Sequence, residues 1–216
     1  MGLTRKDQAA RTRALIIKEA ITLFARKGFA PTSIQDLAKA IGMTTGILYW
    51  HFEDKEALLI AVIEELERRL AEDLVRGGSQ LEQAGPIETM EALIGRVAAQ
   101  VEAHQENLLL VGVIGAEVTD TNPRVEKALR RAYDRFAGVA QSLMEQAQRE
   151  GLIDPKADVE CAAQMFIGMY MGGIMHQRLY RQTFPVARAL PVLRSMLLAS
   201  VVRRAESPPP RRRRRR

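Results

Sequence analysis

Residues 32–55 read TSIQDLAKAIGMTTGILYWHFEDK, and the fold turns on this stretch. Ile34, Leu37 and Ile41 on one side of Gly42, and Leu48 and Phe52 on the other, recur at helical spacing. The pattern describes two short helices, about 33–41 and 44–52, joined by a tight turn: a helix-turn-helix unit. Gly42 supplies the positive φ such a turn needs, and Ala38 is small where the two helices cross. Thr32, with Gln35 three residues on, has the spacing of a capping box for the first helix, and Thr44 is placed to cap the second.

Working outward, Ile16, Ile17, Ala20, Leu23 and Phe24 form one apolar stripe of a helix over about 7–27. Gly28 ends it after the basic pair Arg26 and Lys27. Downstream, Leu58, Leu59, Val62, Ile63, Leu66 and Leu70 mark a long helix from Lys55 to about Arg76, stopped by Gly77 and Gly78. The remainder reads as five more helices, at about 86–106, 108–117, 123–150, 154–182 and 185–204. No segment alternates with period two, so no sheet is expected. The fold class is all-α, with about nine helices. Residues 207–216 are a proline spacer and six arginines, expected to be unstructured.

Hydrophobic residues are 47% of the 216 and charged residues 27%, which excludes both a disordered chain and a membrane bundle. The formal charge of +6 equals the terminal run Arg211 to Arg216. Residues 1–55 hold nine Lys/Arg against five Asp/Glu, while 56–207 hold 17 against 21. A basic front implies a polyanionic partner, which could be nucleic acid or a membrane surface; charge alone does not choose. The terminal arginines would add non-specific nucleic-acid affinity, or are an appendage without a role.

Cys161 is the only cysteine, which excludes an intrachain disulfide and fits a reducing cytosol, hence a cytoplasmic location. Its apolar surroundings suggest a buried, inert thiol. Arg11, Arg13 and Lys18 precede any long apolar run, against a signal peptide. The longest charge-free stretch, Cys161 to Gln177, is short of the roughly 20 apolar residues a span needs and reads as a buried helix, so no membrane partner is expected. There is no G-x-S-x-G, Walker or H-E-x-x-H motif, so neither catalysis nor a cofactor is expected. His104 and His176 lack partners at metal-ligand spacing and read as core or pocket wall. Glu64, Glu65 and Glu67 read as a solvated face.

Leu23-Phe24, Gly28-Phe29, Thr32-Ser33, Leu37-Ala38, Gly42, Leu48-Tyr49-Trp50-His51-Phe52 and Lys55-Glu56-Ala57-Leu58-Leu59 together resemble the TetR family of bacterial transcriptional repressors. The likeness covers the first 60 residues or so; beyond them only helix number and length agree. It implies that the third helix lies in the major groove, with Thr44, Thr45 and Gly46 as its opening turn. Thr32 and Ser33 then meet phosphates at a helix N-terminus, as do Tyr49 and His51, and Lys55 resembles the family's phosphate-binding lysine. Gln35 falls where members place a base contact, and Gln can pair with adenine. Trp50 is open to two readings, a phosphate-side contact or packing between the third and fourth helices. Thr45, Gly46 and Ile47 offer a single hydrogen-bonding side chain, so readout leans on Gln35, on methyl contacts to thymine and on DNA shape.

The resemblance divides the chain into a DNA-binding domain, residues 1–54, a ligand-binding and dimerisation domain, 55–206, and the tail, 207–216. It implies a homodimer on a pseudo-palindromic, double-stranded operator, released when a small, largely apolar effector changes head spacing through the fourth helix. Met is adaptable to such ligands, which nominates Met165, Phe166, Met169, Tyr170 and His176 as pocket residues. Gly168, Gly172 and Gly173 suit a close dimer seam. Two other readings stand beside this one: a DNA-binding architectural protein with a protein partner, and a helical adaptor using its basic front on lipid.

Overall fold

The computed structural model describes residues 4–75, 84–103 and 105–180, with residues 189, 191, 192, 195 and 196. Among these there are eight helices and no strand: α1 (Arg5–Lys27), α2 (Ile34–Ile41), α3 (Thr45–His51), α4 (Lys55–Val75), α5 (Pro86–Ala103), α6 (Gln105–Val118), α7 (Pro123–Arg149) and α8 (Val159–Leu179). The all-α expectation holds. The expected helix at 185–204 lies almost wholly outside the described residues, as do Gly77, Gly78, His104 and the arginine tail.

Local chemistry explains the boundaries. Thr4 and Asp7 form a capping box at the start of α1. Asn122 accepts from the Val125 amide at 3.1 Å, and Pro123 opens α7 where its missing N–H costs nothing. Two expected starts are corrected. The capping box of α2 pairs Ser33 with Asp36, not Thr32 with Gln35: Ser33 Oγ accepts from the Asp36 amide at 3.0 Å while Asp36 accepts from the Ser33 amide at 3.0 Å. α8 starts at Val159, not at Asp154-Pro155. Asp154 instead holds a separate turn, accepting from the Lys156 amide at 2.8 Å, and the Gln148 amide bonds the carbonyls of Asp154 and Ala157. Asp158 then accepts from the Cys161 amide at 2.9 Å.

Among the described residues the apolar side chains form two clusters. The first joins Ile16, Phe24, Leu37, Leu48 and Leu58 of the front to Leu110, Ile114, Val118, Val125 and Leu129 of α6 and α7. One core thus runs across residue 55, because α1 packs on α4 and α6 as well as on α2. The second unites Met90, Ile94, Met144, Ala147, Ile153 and Ala163.

The charge-free segment is a helix packed on one face, not a buried one. Val159, Ala162, Ala163 and Phe166 pack into the second cluster, while Cys161, Met165, Gly168 and Gly172 are exposed. Cys161 is therefore open to solvent in the single chain, correcting the expectation of a buried thiol. The acidic cluster of α4 is only partly solvated. Glu64 is exposed, but Glu65 takes Arg68 and Arg69 at 2.8 and 2.7 Å, and Glu67 is paired with Arg135. No described helix is long and apolar enough to cross a membrane.

Candidate nucleic-acid interface

The turn between α2 and α3 has the expected geometry. Gly42 sits at φ 70°, ψ 31°, and its N–H caps α2 on Ala38 and Lys39, while the Met43 amide returns to the Ala38 carbonyl at 2.9 Å. Leu37, Ala38, Leu48 and Phe52 are buried beneath it, so the outer face of α3 is fixed by the core rather than by its own seven residues.

That outer face is open. Thr44, Gly46 and Ile47 are exposed, Tyr49 is 56% and Trp50 73% exposed, and Gln35 stands exposed on the first turn of α2. Thr44 precedes α3, but its side chain makes no capping bond. Thr45 is half-buried. A methyl added at Gly46 would meet nothing nearer than Thr44 Oγ1 at 3.8 Å, so close approach of another backbone is unobstructed there. Trp50 does not fill a gap between helices; its ring meets His51 edge-on at 4.6 Å between centroids. His51 is half-buried, and burial, with the charge of Arg13, holds its imidazole below the usual 6.5. Arg13 itself lies 5.1 Å over the Phe52 ring.

Three of the residues expected at phosphates are used inside the chain. Thr32 is fully buried, and its hydroxyl donates to the Gly28 carbonyl at 2.7 Å. The Ser33 hydroxyl donates to Asp36 at 2.8 Å. Lys55 Nζ donates to the carbonyls of Phe29, Ala30 and Thr32 at 3.0, 3.2 and 2.9 Å, which accounts for all three ammonium hydrogens. It also lies 4.3 Å over the Phe29 ring, and burial lowers its pKa. Lys55 thus ties the α1–α2 turn to the start of α4.

Two residues that sequence reasoning passed over hold the unit from behind. Glu117, at the end of α6, accepts from the amides of Phe29 and Ala30, both at 2.9 Å. Arg124, at the start of α7, bonds Asp54 at 2.8 Å just before α4. These partners lie 87, 88 and 70 positions apart, so no local pattern announces them.

In the rear half the nominated pocket residues whose side chains are described differ in exposure. Phe166 packs inward and Met169 is half-buried, but Met165 is 56% exposed. His176 is exposed, stacked on Tyr180 at 4.3 Å. The Tyr170 side chain lies outside the described residues. Met171 is half-buried, its sulfur accepting from Tyr133 Oη at 3.3 Å, while Met175 is exposed, its sulfur 3.0 Å from where a Cβ on Gly112 would stand. Burial pushes the Tyr133 phenol up.

Two family models match: "Bacterial regulatory proteins, tetR family" over residues 16–62, and "Tetracyclin repressor-like, C-terminal domain" over 87–193. The chain belongs to the TetR family. The HTH-type transcriptional regulator TtgR of Pseudomonas putida is 28% identical over 175 residues, covering 80% of this chain and 82% of that one. The repressor DhaR of a Mycobacterium species is 25% identical over 188 residues, covering 87% and 93%. The fold matches that of FadR from Bacillus subtilis, solved with stearoyl-CoA, with a TM-score of 0.74, 16% identity, and coverage of 87% of this chain and 98% of that one. This TetR-family chain is a transcriptional regulator with a helix-turn-helix DNA-binding domain, not an enzyme.

Proposed function

We propose that the chain is a cytoplasmic repressor that binds a pseudo-palindromic operator as a homodimer and leaves it when a small, largely apolar effector enters the rear domain. The observation that carries this is the outer face of α2 and α3. Gln35, Thr44, Gly46, Tyr49 and Trp50 stand exposed together on a buried apolar base, on the part of the chain with the positive balance. Exposed aromatic and hydroxyl side chains beside an unobstructed glycine suit a groove and its phosphates. Residues 1–54 serve as the reading head, 55–206 as sensor and dimer support, and 207–216 as an appended tail.

Repression as the sign of regulation is supported by relatives such as DhaR. An apolar effector is supported by the half-buried Met169 and Met171 of α8 and by the stearoyl-CoA of the FadR neighbour. The exposed stripe Met165, Gly168 and Gly172 supports a second copy as the partner of α8.

The test is selection of genomic fragments at physiological salt by the full chain, by a chain ending at Ser207, and by a Thr44→Ala/Tyr49→Ala variant. A palindromic fragment retained by the first two and lost by the third is the expected result. Equal, sequence-independent retention by all three would overturn the reading. Lys55 is left intact in these variants, because its removal would disturb the turn behind the face.

A further inference from the structure

We propose that Glu117 and Arg124, at the two ends of the connection between α6 and α7, are positioning residues that set the angle of the α2–α3 unit on DNA. The unit hangs between two turns, residues 28–32 before α2 and residues 53–54 after α3. Each is gripped by one end of the α6–α7 connection. At the first turn, Glu117 takes the Phe29 and Ala30 amides on one carboxylate oxygen, and a Cβ on Gly28 would stand 2.5 Å from the other. Gly28 is buried at φ 88°, ψ 164°, a conformation open to glycine alone, so the carboxylate lies directly on the backbone. Lys55 holds the carbonyls of the same turn, leaving it no slack in either direction. At the second turn, Arg124 bonds Asp54, and Asp54 accepts from the Ala57 amide at 2.5 Å at the start of α4.

The connection is built to move as one piece. Thr119 and Thr121 return their hydroxyls to the carbonyls of Gly115 and Glu117 at 2.7 and 2.6 Å. Asp120 takes a left-handed φ of 61° with its amide on Glu126, and Asn122 caps α7. A tilt of this end of α6 and α7 as a unit therefore turns both grips together. Glu117 is the stronger of the two, since charge-assisted bonds to backbone amides outweigh a solvent-exposed ion pair.

The inference rests on the DNA-binding role proposed above, and the experiment separates the two. Hydrogen exchange of the free full-length protein is compared among wild type, Glu117→Gln, Glu117→Ala and Arg124→Ala, followed by binding to the selected fragment and to a scrambled duplex. Loss of the Glu117 carboxylate is expected to speed exchange of the Phe29 and Ala30 amides about tenfold, the worth of one charge-assisted bond. It should lower affinity for the selected fragment by about the same factor while leaving the scrambled duplex unchanged. In wild type, DNA should slow exchange in α6 and α7; in Glu117→Ala that response should disappear even at saturating DNA. Unchanged exchange at Phe29 and Ala30, or an equal loss for both duplexes, would overturn the proposal. If wild type selects no fragment, the functional reading fails and the exchange of the free protein alone decides whether Glu117 holds the turn.

Discussion

Lys55 shows how one side chain can be assigned to the right neighbourhood while its partners within the chain go unread. Its position at the start of α4, beside the DNA-facing unit, is legible from sequence. That three carbonyls close around its ammonium is not, because they come from a turn more than twenty residues earlier. Lys55→Ala strips charged donors from three carbonyls and should cost about 1–3 kcal/mol in urea unfolding, with Lys55→Arg a poor rescue because a planar fork cannot replace a compact tripod. His51 gives a second residue-level expectation. Its folded-state pKa is depressed by burial and Arg13, so between that value and the ordinary 6.5 the unfolded chain binds more protons. Its contribution is complete above pH 6.5 and lost as pH falls through the window below it. Unfolding curves from pH 8 to 5 should show this loss, and His51→Gln should flatten it. The depressed carboxylates Asp7, Asp36 and Asp54 act at lower pH, below the ordinary carboxylate value.

Among the helices, boundaries set by local chemistry were readable and those set by competition were not. Gly28, Gly42 and the Asn122-Pro123 start lie where sequence puts them, because each satisfies backbone groups within a few residues. The start of α2 admits two boxes one residue apart, Thr32 with Gln35 and Ser33 with Asp36. The second wins because a carboxylate accepts more strongly than an amide and Thr32 is drawn inward onto Gly28. The face of α8 was ambiguous for a different reason: methionines and glycines surround it, so periodicity does not mark a single side. The two turn glycines should respond unequally to substitution. Gly42→Ala meets nothing within 4 Å and costs only the left-handed backbone, about 1 kcal/mol. Gly28→Ala adds a collision with Glu117 to a conformation that excludes side chains and should cost about 3 kcal/mol or more. Thermal or urea unfolding of the two variants provides the comparison.

At the scale of the whole molecule, the rear half presents an exposed face of α8 at Met165, Gly168 and Gly172. Gly168→Arg or Met165→Lys on the exposed stripe of α8 should convert a dimer to a monomer in sedimentation velocity while leaving helical content unchanged. A monomer for the wild type would remove the stripe from the dimer seam. The continuity of the first core across residue 55 bears on how such regulators can be recombined. A graft that joins this head to another relative's sensor at that residue severs Leu110, Ile114 and Val118 from their partners and replaces the two side chains that grip the turns. Chimeras cut there should lose solubility unless the end of α6 and the start of α7 travel with the head. Diversification by exchange of modules is thereby disfavoured, and new specificities in such a chain arise more readily by rewriting side chains within an inherited frame.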